Sequence, residues 1–103
     1  MTNFPSTAKV VVIGGGVIGT SIAYHLVKEG TRDVVLLEKS KLTEGCTWHA
    51  AGLVGQFRSQ QNLMQLMNDS VSLFDTLEAE TGQNPSWCKV GSMRIASSKD
   101  RWD

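Results

Sequence analysis

No continuous apolar run among these 103 residues approaches the length needed to span a bilayer. The opening Met1-Thr2-Asn3-Phe4-Pro5-Ser6-Thr7-Ala8 lacks the apolar heart of a signal peptide and the Arg-rich amphipathic pattern of a transit segment. These absences set the expectation of a cytoplasmic protein without membrane contact, its residues 1–8 a disordered lead-in. Neither sign of charge is in excess, because ten Lys and Arg face ten Asp and Glu. A neutral chain without a basic patch is not expected to bind nucleic acid or to steer partners by a strong global field. Cysteine is scarce: Cys46 and Cys88 stand far apart and form no CxxC pair. Cys46 and His49 share a C-x-x-H spacing, but two ligands are too few for a metal site, so no metal is expected. What remains is 41% hydrophobic and 19% charged, the composition of an ordinary globular chain.

Glycine, by contrast, is concentrated where it carries chemistry. Lys9-Val10-Val11-Val12-Ile13 leads into Gly14-Gly15-Gly16-Val17-Ile18-Gly19, a strand, a glycine turn and a helix start. Gly14 suits the tight turn, Gly16 lets a pyrophosphate approach the backbone, and Gly19 lets the helix lie against the sheet. Helix N–H groups and the positive end of the helix dipole then face phosphate. Val34-Val35-Leu36-Leu37 reads as the next parallel strand and delivers Glu38 at its carboxyl end. There a carboxylate can accept from both ribose hydroxyls of an adenosine and repel a 2′-phosphate, which favours FAD or NAD over NADP. A GxGxxG turn alone is a weak signal; its strand, its helix and the answering acid make the context specific.

The pattern predicts a strand at 10–13, a helix from Val17 to about Lys28, and a strand at 34–37. Ile18, Ile22, Leu26 and Val27 form the expected buried stripe of the helix, and Gly30 stands where a left-handed cap belongs. Residues 39–58 read as a long loop of the kind that carries function. A helix from Ser59 or Gln60 to Gly82 is expected to bury Leu63, Leu66, Met67, Ser70, Leu73, Phe74 and Leu77. Asn84-Pro85-Ser86 is a turn, and residues 88–90 and 92–96 read as two short strands turning at Gly91. The fold class is α/β: the N-terminal portion of a Rossmann-like βαβ domain over residues 9–103, truncated before its sheet is complete.

The loop holds a second motif, Gly45-Cys46-Thr47-Trp48-His49-Ala50-Ala51-Gly52, in which small residues flank a Trp-His pair and let a flat ring lie near the backbone. Taken with Val12–Gly19, Leu37-Glu38-Lys39 and Gly91-Ser92-Met93-Arg94-Ile95, it resembles the N-terminus of the dimethylglycine and sarcosine dehydrogenases, D-amino-acid-oxidase-like FAD enzymes. The resemblance implies FAD as cofactor, with Gly14, Gly16, Val17, Ile18, Gly19, Glu38, Lys39, Gly45, Thr47, Trp48, His49 and Gly52 as cofactor-binding residues. It further implies a covalent bond from His49 to the flavin; packing of His49 against the ring is the alternative. Cys46 departs from the Ser or Thr more usual in the family, which removes one hydroxyl from the cofactor's surroundings.

The expected activity is oxidation of an N-methylated glycine-type amine by hydride transfer to flavin, with folate as a further partner through a domain outside this chain and the electron acceptor undetermined. No catalytic residue is assigned within these 103 residues. Arg58 could meet a substrate carboxylate or stand as a solvated charge, and His25 is read as a surface or internally satisfied histidine. Three alternatives stay open: an amino-acid or glycine oxidase with non-covalent FAD, a non-catalytic flavoprotein-like regulatory subunit, and a NAD-binding module, the last disfavoured by the Trp-His loop.

Overall fold

A computed structural model describes residues 4–101. Two compact units divide at Gly52 and Leu53, and each is described by itself. Residues 1–3 of the lead-in lie outside the described residues, and residues 4–8 contain neither helix nor strand.

The first unit is a strand, a helix and a parallel strand: β1 (Val10–Ile13), α1 (Val17–Lys28) and β2 (Val34–Leu37). These bounds agree with those expected from the sequence. β-Branched residues favour the strands, and Val10, Val11, Val12 and Ile13 pair in register with Val34, Val35, Leu36 and Leu37. The ladder is extended at one end by Lys9 N–H donating to the Asp33 carbonyl at 3.0 Å and at the other by Gly14 N–H donating to Leu37 at 2.8 Å. That last bond fixes where the glycine turn leaves the sheet.

α1 ends in a Schellman arrangement. Thr31 N–H reaches the Leu26 carbonyl at 2.8 Å and Gly30 N–H reaches Val27 at 3.0 Å, with Gly30 at φ +88°. This closes the carbonyls that helix termination leaves open.

The expected stripe of α1 needs correction. Leu26 is half-buried, whereas Ile18, Ile22 and Val27 are exposed. The side turned to the strands carries the small Gly19 and Ala23 instead. A two-stranded sheet offers one narrow face, and the closest approach is made by glycine rather than by large side chains. Val12, 8% exposed, is the buried apolar side chain of this unit among the described residues. Val11 and Ile13 of β1 are exposed.

The second unit is built on α2 (Gln61–Thr81), closed by Gly82 in the left-handed region at φ 73°. Its buried residue is Val71, with Met64, Met67, Ser70, Leu73, Phe74 and Leu77 half-buried. Met67, Ser70, Leu73, Phe74 and Leu77 of the expected stripe are thus on the covered side, joined by Met64 and Val71, while Leu63 and Leu66 are exposed. The chain after α2 turns at Asn84, whose Oδ1 accepts from Ser86 N–H at 2.7 Å, and folds back so that Trp87 stacks on Phe74 with ring centroids 5.2 Å apart.

Residues 88–96 are not strands. Val90 N–H donates to the Cys88 carbonyl at 3.1 Å, Gly91 takes φ +73°, and Val90, Met93 and Ile95 are exposed. Extended segments become strands only when a neighbour satisfies their backbone groups, and no such ladder forms here among the described residues. A short 3₁₀ turn, Lys99–Arg101, follows.

Candidate functional site

The carboxyl ends of β1 and β2 and the start of α1 meet at an open cleft of about 660 Å³ within the first unit. Three glycines shape it, each for a different reason. Gly14 takes φ +107°, a conformation costly to any residue with a Cβ. Gly19 faces the turn so closely that a Cβ there would lie 1.8 Å from the Gly14 carbonyl oxygen. Gly15, not among the expected site residues, is buried; a Cβ on it would lie 2.6 Å from Leu42 Cδ2 and 3.0 Å from Glu38 Cβ. A run of three glycines is the only sequence signal that could have pointed to it.

Glu38 projects from the end of β2 and uses both carboxylate oxygens. Oε2 accepts from Gly15 N–H at 2.6 Å and Oε1 from Ser40 N–H at 2.9 Å. The Gly15 bond first, then the Ser40 bond, hold its carboxyl below the usual carboxylate range. Each carboxylate oxygen keeps a second lone pair, so accepting from sugar hydroxyls remains compatible with these bonds.

The loop after β2 winds back as successive turns. Thr43 N–H donates to the Gly15 carbonyl at 2.9 Å, and Thr47 Oγ1 accepts from Val17 N–H at 2.9 Å. The residue at the α1 N-cap, Gly16, has no side chain to offer, so Thr47 supplies the cap from 30 residues away in sequence. Trp48 N–H donates to the carbonyls of Thr43 and Gly45 at 3.0 and 3.2 Å. His49 Nδ1 lies 2.9 Å from the Gly45 carbonyl oxygen. A carbonyl only accepts, so Nδ1 carries the hydrogen, and in the neutral imidazole the lone pair is then on Nε2.

Of the expected residues, Gly14, Gly16, Val17, Ile18, Gly19, Glu38, Lys39, Gly45 and Thr47 line the cleft together. Cys46, placed beside the cofactor by the resemblance, lines it too, as do Val12, Ile13, Ile22, Ser40, Glu44 and Ala50, which were not expected. Trp48, His49 and Gly52 stand outside the lining; both aromatic side chains are exposed, Trp48 at 78%. His25 is satisfied locally, its Nδ1 donating to the Ser21 carbonyl at 2.8 Å. Arg58 is an exposed residue of the second unit, donating to the Phe57 carbonyl at 2.9 Å. No group of three or more His, Cys, Asp or Glu is arranged to hold a metal among the described residues.

The donor set fits a dinucleotide. The first turn of α1 carries no acid, so nothing there repels phosphate from its N–H groups. Gly14 and Gly16 keep side chains out of the approach, and an ionised carboxylate stands at the end of β2, where a ribose would lie.

Comparison with known proteins agrees with this reading. Residues 9–103 match the family described as FAD dependent oxidoreductase. Dimethylglycine dehydrogenase of Rattus norvegicus, a mitochondrial protein, is 53% identical over 96 residues, which cover 93% of this chain and 11% of that protein. Human mitochondrial sarcosine dehydrogenase is 45% identical over 100 residues, covering 96% of this chain and 11% of its own. Among solved structures, glycine oxidase from Bacillus cereus ATCC 14579 superposes with a TM-score of 0.71 at 33% identity, covering 91% of this chain and 27% of that one. The chain thus spans about a ninth of the two dehydrogenases.

These relatives overturn one expectation. The two dehydrogenases are mitochondrial, which contradicts the cytoplasmic assignment drawn from residues 1–8. An address segment is read by import receptors and is separate from the fold, so the composition of that stretch did not report the compartment.

Proposed function

This chain belongs to the FAD-dependent oxidoreductase family, and on that premise we propose that the protein carrying it oxidises an N-methylated glycine-type amine such as dimethylglycine or sarcosine. Residues 9–103 would form the N-terminal portion of a Rossmann-like FAD-binding domain. FAD supplies the hydride acceptor; the protein supplies binding, orientation and electrostatics. Gly14, Gly16, Val17, Ile18 and Gly19 would hold the pyrophosphate at the start of α1, and Glu38 with Lys39 the adenosine ribose. The turn of Gly45, Thr47, Trp48, His49 and Gly52 would run towards the flavin, with His49 as its covalent anchor.

The observation that carries the reading is the convergence of the glycine turn, Glu38 and Thr47 on one cleft. The anchor role is supported by the hydrogen bond to Gly45, which leaves His49 Nε2 with the lone pair a nucleophile needs. Sequence kinship with dimethylglycine and sarcosine dehydrogenases supports the substrate class. Folate, through a further domain, is part of the same proposal.

The test uses the full-length protein. Anaerobic addition of dimethylglycine or sarcosine should bleach the flavin absorbance, and an acid-denatured gel should show a fluorescent protein band that His49→Ala abolishes. Absence of bleaching with both amines would remove the substrate assignment. A fluorescent band persisting in His49→Ala would remove the anchor.

A further inference from the structure

α1 begins without a cap of its own. Gly16 stands at the N-cap in extended conformation and no neighbouring side chain closes the first turn. The hydroxyl that does so, Thr47 Oγ1 on Val17 N–H at 2.9 Å, comes from the turn that carries His49. Thr43 N–H on the Gly15 carbonyl at 2.9 Å makes a second tie between the same two segments. The turn is therefore stitched to the glycine cradle at two points, one made by main chain and one by a side chain.

From Thr47 the geometry passes to His49 in one step. Gly45 and Thr47 belong to the same turn, and the Gly45 carbonyl receives both Trp48 N–H at 3.2 Å and His49 Nδ1–H at 2.9 Å. Wherever the Thr47 hydroxyl fixes the turn, it fixes the acceptor that orients the imidazole. The fit leaves little slack: a Cβ on Gly16 would stand 3.1 Å from Thr47 Oγ1.

We propose that Thr47 is a positioning residue, whose hydroxyl caps α1 and thereby registers the His49 turn on the dinucleotide cradle. This rests on the reading of His49 as flavin anchor given above. A hydroxyl that accepts from Val17 keeps its own hydrogen to donate, so capping and a cofactor contact are compatible. The distinguishing claim is that loss of the hydroxyl misplaces the turn itself, which saturation with FAD cannot repair.

Full-length protein carrying Thr47→Val, Thr47→Ala or Thr47→Ser tests this in two ways. First, each variant is incubated with saturating FAD and the covalently held fraction is measured. The rate of incorporation should fall about tenfold in Thr47→Val and Thr47→Ala, the scale of a lost capping bond, and stay within about twofold of wild type in Thr47→Ser, which keeps the acceptor. Wild-type incorporation in either hydroxyl-free variant, recovery at higher FAD, or failure of Thr47→Ser alongside them would each overturn the proposal.

Second, hydrogen exchange followed by mass spectrometry on the FAD-free protein reads the turn directly. Peptides over residues 41–50 should exchange faster in the hydroxyl-free variants, while peptides from α2 stay unchanged. Unchanged exchange at 41–50 would equally overturn it. If the wild-type protein holds no covalent flavin, the anchor role of His49 fails and the exchange measurement alone decides the role of Thr47.

Discussion

Glu38 Oε2 accepts the Gly15 N–H at 2.6 Å, and this bond closes the carboxyl ends of β1 and β2 onto one another. A bond from a backbone N–H to a carboxylate is among the stronger kinds, and a second, from Ser40 N–H, holds the other oxygen. Glu38 is therefore a brace for the glycine turn before it is anything to a ligand. The two roles agree, because the brace leaves the carboxylate charged and aimed at the cleft.

The brace predicts a pH dependence of definite sign. Hydrogen bonds from Gly15 and Ser40 hold the Glu38 carboxyl below its usual range, so its contribution to the folded cradle is fully present above the unfolded value of about 4.3. That contribution is lost as pH falls through the lowered folded value. Glu38→Gln replaces one acceptor oxygen with a donor and leaves a backbone N–H unmatched. In the His49→Ala background, which removes the proposed bond to FAD, the FAD affinity of the full-length protein, measured by fluorescence quenching at neutral pH, should fall about tenfold or more on adding Glu38→Gln, the lower scale for a charged hydrogen bond. The stability of Glu38→Gln should also respond less than that of wild type to acidification below the unfolded value of about 4.3. A double variant that binds FAD as His49→Ala alone does would show that the bond to Gly15 carries no weight in the cradle.

The glycines predict a graded series. Alanine at Gly19 would place a methyl 1.8 Å from the Gly14 carbonyl oxygen, a main-chain atom that can move only with the whole turn. Alanine at Gly15 would meet Leu42 Cδ2 at 2.6 Å, a side-chain methyl that can swing aside, although Glu38 Cβ at 3.0 Å limits the relief. Gly19→Ala should therefore yield little folded, FAD-binding protein. Gly15→Ala should fold with a loss of about 1–3 kcal/mol, the usual cost of overpacking. Adding Leu42→Ala to Gly15→Ala should restore part of that loss, a positive coupling between touching residues. Thermal denaturation of these proteins and of Leu42→Ala alone checks the order, and additive losses in the double variant would rule out Leu42 as the obstacle.

How much of this was legible in the sequence follows from the range of the interactions. β1, α1 and β2 are set by local preference and hydrophobic spacing, and their bounds match expectation; so does the stop at Gly82, a left-handed residue that only its neighbours dictate. The carboxylate at the end of β2 was legible for the same reason, since the parallel strand places it. The obstacle to a side chain at Gly15 was hidden, because Leu42 reaches it only through the fold of the loop. The Thr47 cap was hidden because its partner, Val17, is 30 residues away. Residues 88–96 look like strands by pattern, yet pairing is a property of two segments and cannot be read from one. Ile18, Ile22 and Val27 look like a core stripe by spacing, yet the glycine contact at Gly19 turns a different side of α1 to the strands.

The second unit offers a prediction of its own, because its strap is held to α2 through one indole. Trp87 stacks on Phe74 at 5.2 Å and donates Nε1–H to Asp75 Oδ1 at 3.1 Å. Lys89 Nζ meets the other oxygen, Asp75 Oδ2. Lys89 and then Trp87 keep the Asp75 carboxyl below its usual range, so this cluster supports the strap above the unfolded aspartate value of about 3.9 and releases it as pH falls through the lowered folded value. The Lys89–Asp75 pair is open to solvent on both sides, where ion pairs contribute little and are screened by salt. The ring stack is not screened. Trp87→Ala should therefore lower the stability of the full-length protein by about 1–2 kcal/mol through lost apolar and ring contact. Trp87→Phe should retain most of that while losing the bond to Asp75, and Lys89→Gln should be close to neutral at 0.15 M salt, an ionic strength of about 8 Å screening length. Denaturant titration of the three variants at low and high salt distinguishes the contributions. A Lys89→Gln loss as large as that of Trp87→Ala, and one that vanishes with salt, would mean that charge rather than the indole holds the strap to α2.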